Sequence, residues 1–172
     1  MPEKVTVAEV AQILKEKKET VRELSWEFKN TNHTPKFIEY RSAIRIKHET
    51  VEDLFICFIY RAGFPRSRGG KQLIQQETIA TGLYFRNKRV FAIDYDTNSI
   101  HLNKIGLDIP SYKREILGLH RHIWTENGYG YAEEIRMESV SIEGVINLFL
   151  KESNINLLGG FKPLPSEQFS LL

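Results

Sequence analysis

Hydrophobic and polar positions change period several times along this chain, and each change predicts an element. Val10, Ala11, Ile13 and Leu14 recur at helical spacing behind Thr6-Val7-Ala8-Glu9, a capping box in which Thr6 and Glu9 serve each other's backbone amides. A first helix is expected there, ending in Lys15 to Lys18, where cations suit the C-terminal dipole. Leu24, Trp26 and Phe28 alternate with polar neighbours and predict a first strand, and residues 30–35 a turn. Ile38, Tyr40, Ile44 and Ile46 share one parity while Glu39, Arg41, Arg45 and Lys47 share the other, which describes a strand with one wet, basic face. Residues 54–60 are apolar at both parities and belong in the middle of a sheet, with residues 48–53 turning between the two strands.

The second half continues in strand period. Residues 78–86 and 90–95 predict a hairpin about Asn87-Lys88, since asparagine tolerates the left-handed backbone of such a turn. Residues 99–103 and 117–124 read as two short strands separated by a loop over 104–115, and Asn127-Gly128 should fold residues 129–135 back. Ser141 caps a second helix whose inner face is Ile142, Val145, Ile146 and Phe149, with Val140 and Val145 placed as a hydrophobic staple. The expectation is a single α+β domain over residues 1–153. It has a largely antiparallel sheet of about five to seven strands with N-terminal and C-terminal helices packed on it. Residues 154–172, with Gly159-Gly160, Pro163 and Pro165, read as a C-terminal tail. There is no repeat, no βαβ order and no P-loop.

Composition narrows this picture slightly. At 172 residues, 41% hydrophobic and 27% charged, the chain can bury an ordinary core without staples. Cys57 is the only cysteine, which excludes an intrachain disulfide and a cysteine-based metal cluster; within its apolar run it reads as a small buried hydrophobe. No apolar run approaches the ~20 residues of a membrane span, and the first residues lack a signal-peptide pattern, so a cytoplasmic protein without membrane contact is expected. The net charge of +2 does not argue for nucleic acid by itself. Its distribution adds something. Arg61, Arg66, Arg68 and Lys71 occur without an acidic residue among glycines and Pro65, as in a mobile basic loop that grips phosphates or is simply solvated.

The concentrated chemistry lies in residues 119–124. Residues two apart on a strand face one way, so His120 and His122 share a face and Arg121 takes the other. His101 and Asn103 share a face of the preceding strand; if the two strands pair antiparallel, three imidazoles and an amide converge. Three readings follow. His-x-His presents two imidazoles to a transition metal, with His101 or Glu126 as a third ligand. Alternatively His120 and His122 act as acid and base in metal-free phosphodiester cleavage, with His101 and Asn103 positioning the phosphate and the basic loop holding the RNA backbone. In the third, the histidines only structure the sheet or a partner surface. Tyr129 and Tyr131 share a face beside the turn, near Trp124; if exposed, they stack on bases or anchor a protein partner.

Residues 95–103 followed by 119–132 resemble a group of small bacterial and prophage proteins in which a basic hairpin precedes a His-x-Asn segment, a His-x-His strand and a Gly-aromatic-Ala tail. Their layout is loosely similar to TumE-type toxins of toxin–antitoxin modules, and the likeness spans roughly residues 41–135. The resemblance implies a toxin-like, RNA-directed protein of a mobile element or defence module. Joined to the acid–base reading of the histidines, the expectation is a metal-independent, cofactor-free ribonuclease, with RNA and a cognate antitoxin or host defence protein as partners. The alternative is a non-catalytic phage or plasmid accessory protein that blocks a host defence complex.

Overall fold

Strand-period alternation dominates the chain and assembles one large sheet. The computed structural model describes residues 4–30, 32–105 and 113–166. In chain order these form α1 (Val7–Lys15), β1 (Lys18–Thr20), β2 (Glu27–Phe28), β3 (Ile38–Ile46), β4 (Glu49–Arg61), β5 (Phe64–Arg68) and β6 (Lys71–Gln75). There follow β7 (Thr78–Phe85), β8 (Lys88–Leu102), β9 (Glu115–Thr125), β10 (Gly128–Glu134), α2 (Ile142–Glu152) and β11 (Ile155–Asn156). Nine strands pair in the order β10-β9-β8-β7-β4-β3-β1-β11 with β2 added to β3, while β5 and β6 form a separate hairpin. Pairing within the sheet is antiparallel except between β1 and β11.

The fold is mixed α+β, with more strands than the five to seven expected. Three of the extra strands are only two or three residues long, too short to show a period. Residues 61–71 are largely not a loop: they enter the β5–β6 hairpin, whose turn is made by Gly69 and Gly70 at φ 58° and 76°. The expected strand over residues 99–103 is the end of the long β8, and Leu24 is buried outside any strand. Two turns fall earlier than expected, at Lys47-His48 and at Arg86-Asn87, because those pairs carry positive φ. Of the loop over 104–115, residues 106–112 lie outside the described residues.

The core forms where β4, β7 and β8 meet α2. Val145, Ile146, Phe149 and Leu150 of α2 are buried, and Phe149 meets Phe58 edge-on at 5.6 Å and Phe91 in a stack at 5.8 Å. Each such side chain contributes roughly 1.5–3 kcal/mol, so this face, not helix propensity, holds α2. Glu152 at the end of α2 pairs with Arg121 of β9 at 3.2 Å, so Arg121 faces the helix. His120 and His122 alternate with Arg121 along β9 and therefore face away from α2.

Ahead of the first strand, α1 carries the predicted capping box, and Lys18 reaches back to close its C-terminus through bonds to the Ile13 and Glu16 carbonyls. Burial lowers the Lys18 ammonium to about 8. The expected tail docks: β11 lies parallel to β1, Leu157 is buried, and the Trp26 indole donates to the Lys162 carbonyl at 2.9 Å. Residues 167–172 lie outside the described residues. Among the described residues no helix is long and apolar enough to cross a membrane.

Candidate metal centre

Two irregularities in β8 decide which side chains share its face with the histidines. Against β7, Leu83 pairs with Phe91 and Tyr84 with Arg89, so Val90 is an extra residue. Against β9, Asp96 pairs with Gly118 and His101 with Ile116, so β8 takes five steps where β9 takes two. An odd number of extra residues exchanges the two faces of a strand. Arg89, Asp94 and His101 therefore reach one face although their numbers differ by odd steps. In the regular stretch between, Asp94 lies opposite His120 and Ala92 opposite His122.

The three imidazoles converge. Ring centres are 4.8 Å apart for His101–His122 and His120–His122 and 5.5 Å for His101–His120. One nitrogen from each ring lies within 4.8 Å of the others. His120 and His122 are buried and His101 half-buried.

The partners of each ring settle which nitrogen carries the proton. His120 Nδ1 faces the Gly118 carbonyl at 2.8 Å, and a carbonyl only accepts, so Nδ1 donates and Nε2 keeps its lone pair. His101 Nε2 lies 3.1 Å from the Gly130 carbonyl and 3.2 Å from Asn103 Oδ1. The Asn103 amide is itself oriented by Ala132, whose N–H donates to Oδ1 at 2.7 Å and whose carbonyl accepts from Nδ2 at 2.8 Å. His101 therefore donates through Nε2 and leaves Nδ1 bare. His122 Nε2 lies 3.4 Å from Asp94 Oδ2, while its Nδ1 is buried with no hydrogen-bond partner. Three lone pairs result, each on a ring whose other nitrogen is tied to an oxygen, the arrangement that orients metal-binding histidines.

Asp94 anchors the assembly. Its Oδ1 accepts from the Thr81 amide at 3.2 Å and from the Arg89 guanidinium, which also bonds the Thr81 carbonyl and, at 2.5 Å, the Tyr129 hydroxyl. Tyr129 in turn stacks on His122 at 4.9 Å. Burial alone would raise the Asp94 carboxyl, but the bond to His122 and the Arg89 charge outweigh it and hold the group below the usual carboxylate value. Burial pushes the Tyr129 phenol up to about 12, so it stays neutral.

Arg89 needs the missing side chain of Gly82. A Cβ at Gly82 would lie 2.7 Å from the Tyr84 ring and 2.9 Å from Arg89 Nε. Neither can retreat easily, since Tyr84 is stacked on Phe55 at 4.8 Å and Arg89 is tied to Asp94. Gly82→Ala is expected to cost about 1–3 kcal/mol, read from the urea midpoint. An unchanged midpoint would show that the bulge and its arginine are not tightly packed.

Burial also lowers the His120 and His122 imidazoles, against the opposing pull of the Gly118 carbonyl and of Asp94 respectively. The folded chain keeps both neutral at pH values where the unfolded chain, at the ordinary 6.5, takes up protons. Their contribution to stability is thus complete above pH 6.5 and lost as pH falls through that value towards the folded ones. Each ring gives a slope of up to about 1.4 kcal/mol per pH unit in that window. Urea titrations of metal-free protein from pH 7.5 to 5 should show this slope, and His122→Gln should remove about half of it. A flat profile would mean that the rings take up protons as readily in the fold as in the unfolded chain.

These side chains open onto a cavity of about 500 Å³, whose lining includes the three histidines, Asp94, Arg61, Phe37 and Gln76. A tetrahedral ion with bonds of about 2.0–2.1 Å needs nitrogens roughly 3.3 Å apart. Binding therefore draws the rings together by about an ångström and a half at most, within reach of small side-chain rotations. The donor set fits a borderline divalent ion of the zinc class.

The convergence of His120, His122, His101 and Asn103 is the geometry the strand parity implied, with one correction. Asn103 is fully buried with its amide committed to Ala132, so it orients His101 and cannot position a phosphate. The ring that joins His120 and His122 is His101, whereas Glu126 stands exposed in the β9–β10 turn. Of the basic residues, Arg61 lines the cavity, while Arg66, Arg68 and Lys71 are exposed on β5 and β6. The aromatic surface does not form: Tyr131 is buried, Tyr129 packs on His122, and the Trp124 indole donates to the Val5 carbonyl. Arg89 and Asp94 escaped the strand rule, though a carboxylate inside the apolar residues 90–95 was a visible signal. The chain matches no known protein family, no curated protein and no solved structure in the comparisons made.

Proposed function

We propose that the protein is a metal-dependent enzyme of hydrolytic type. His101 Nδ1, His120 Nε2 and His122 Nδ1 hold a divalent transition metal whose remaining position opens onto the cavity. The observation that carries this reading is the buried, unpartnered His122 Nδ1, on a ring that has a nitrogen within 4.8 Å of one from each of two other imidazoles. A metal held so lowers the pKa of a water or polarises a carbonyl or phosphoryl oxygen. The chain's own residues supply orientation: Asp94 holds His122, Asn103 and the Gly130 carbonyl hold His101, and the Gly118 carbonyl holds His120.

Metal-free ribonuclease chemistry is less well supported. Burial keeps His120 and His122 neutral, so neither ring holds an acidic proton ready for a leaving group near pH 7. An RNA-directed protein of a mobile element stays the second reading, favoured by one observation: the hairpin exposing Arg66, Arg68 and Lys71 has its base, Gln75, in the cavity wall. Metal-stripped protein dialysed against zinc, nickel or cobalt(II) and then against buffer should retain one equivalent per chain. Retention of none would sink the metal reading.

A further inference from the structure

Farther along the same sheet face as the imidazoles, the cavity wall carries a held cation. Arg61, the last residue of β4, lines the same cavity as His101, His120 and His122. Its guanidinium lies 4.9 Å from the Phe37 ring centre and 4.4 Å from that of Phe64, and its Nε donates to the Pro35 carbonyl at 3.4 Å. Two rings and a carbonyl hold the group in place, which spares an incoming anion much of the cost of ordering it. Among the described residues no carboxylate pairs with Arg61.

The rest of the wall is preformed. Asn98 clasps the base of the β5–β6 hairpin, accepting from the Gln76 N–H at 2.8 Å and donating to its carbonyl at 3.1 Å. Asp94 is neutralised by Arg89, and Asp96 accepts from the Asn98 amide at 2.7 Å and from the Ser99 hydroxyl at 2.6 Å. With neutral imidazoles and a divalent ion, the positive charge of the ion and Arg61 exceeds the one unpaired carboxylate, Asp96, among the described lining residues.

We infer that the cavity takes a small molecule bearing a carboxylate or phosphate, which Arg61 grips while the group to be transformed faces the three histidines. The inference rests on the metal reading and deepens it. A planar guanidinium offers paired N–H donors that match either oxyanion, and a volume of about 500 Å³ suits a metabolite-sized ligand. Arg61 is thus the specificity-determining residue for the anionic end of the substrate.

The test uses the intact, cobalt(II)-loaded protein titrated calorimetrically with inorganic phosphate and, separately, with oxalate. Wild type should bind both saturably. Arg61→Gln should weaken both by about tenfold or more, and Arg61→Lys should recover part of the loss. Cobalt affinity and thermal midpoint should be equal in the three proteins, which separates a lost contact from a lost fold. Equal anion affinity in wild type and Arg61→Gln would overturn the inference, as would no anion binding by the loaded wild type. A short single-stranded RNA that displaces phosphate, is released by Arg66→Ala with Arg68→Ala and is indifferent to Arg61→Gln would also overturn it, in favour of an RNA ligand. Failure of cobalt itself to bind falls instead on the metal reading.

Discussion

Replacing Asp94 with alanine should be the most damaging single change in the site. The carboxylate is the counter-charge of Arg89, and removing it leaves a largely buried guanidinium with only the Thr81 carbonyl and the Tyr129 hydroxyl. Breaking a buried pair from one side costs about 3–5 kcal/mol. The Arg89 and Asp94 side chains are 20% and 15% exposed, so the lower end of that range is expected. For a chain of this size the loss lowers the unfolding midpoint by roughly 6–12 °C. Asp94→Asn keeps the shape and should cost less. The double variant Arg89→Met/Asp94→Ala should recover much of the loss, since the unpaired charge is gone. If Asp94→Ala and the double variant are equally stable to wild type, the Arg89–Asp94–His122 chain is not what holds this face together.

That chain was the least legible part of the molecule. Strand parity alone put His120 and His122 on one face and Arg121 on the other, and antiparallel pairing with the preceding strand brings His101 and Asn103 alongside. Parity fails where the strand bulges. Val90 and residues 97–100 each exchange the faces of β8, and nothing in their side chains announces this. The β5–β6 hairpin was hidden by its composition, because Arg66, Arg68 and Lys71 with two glycines look like a loop when neither face of the hairpin is buried. The docking of residues 155–164 rests on Leu157, Phe161 and Leu164 packing against the core, single apolar residues without a period. Long periodic elements were readable, and local exceptions to the period were not.

The second large effect concerns metal. If the three histidines bind an ion in the folded state alone, added zinc or cobalt(II) stabilises the fold by mass action. At a free concentration one hundred times Kd the gain is about 2.7 kcal/mol, which raises the unfolding midpoint by roughly 5–11 °C. His101→Ala, His120→Ala and His122→Ala should each abolish most of that rise. Their own stabilities without metal should differ little from one another, because each removed ring makes one or two hydrogen bonds. A chelator should return loaded wild type to its metal-free midpoint. Asp94→Asn should bind metal about 10–100-fold more weakly, since it loosens the ring of His122 without removing a ligand.

The most direct measurement is a cobalt(II) titration of metal-stripped protein followed by visible absorption, which reports coordination geometry and not only uptake. With three nitrogens and one open position, the visible bands of four- or five-coordinate cobalt should grow to saturation at one equivalent per chain. They should vanish in each of the three histidine variants and survive in Arg61→Gln. A spectrum no stronger than that of hydrated cobalt, or bands unchanged when His122 is replaced, would contradict the assignment of this site to a metal.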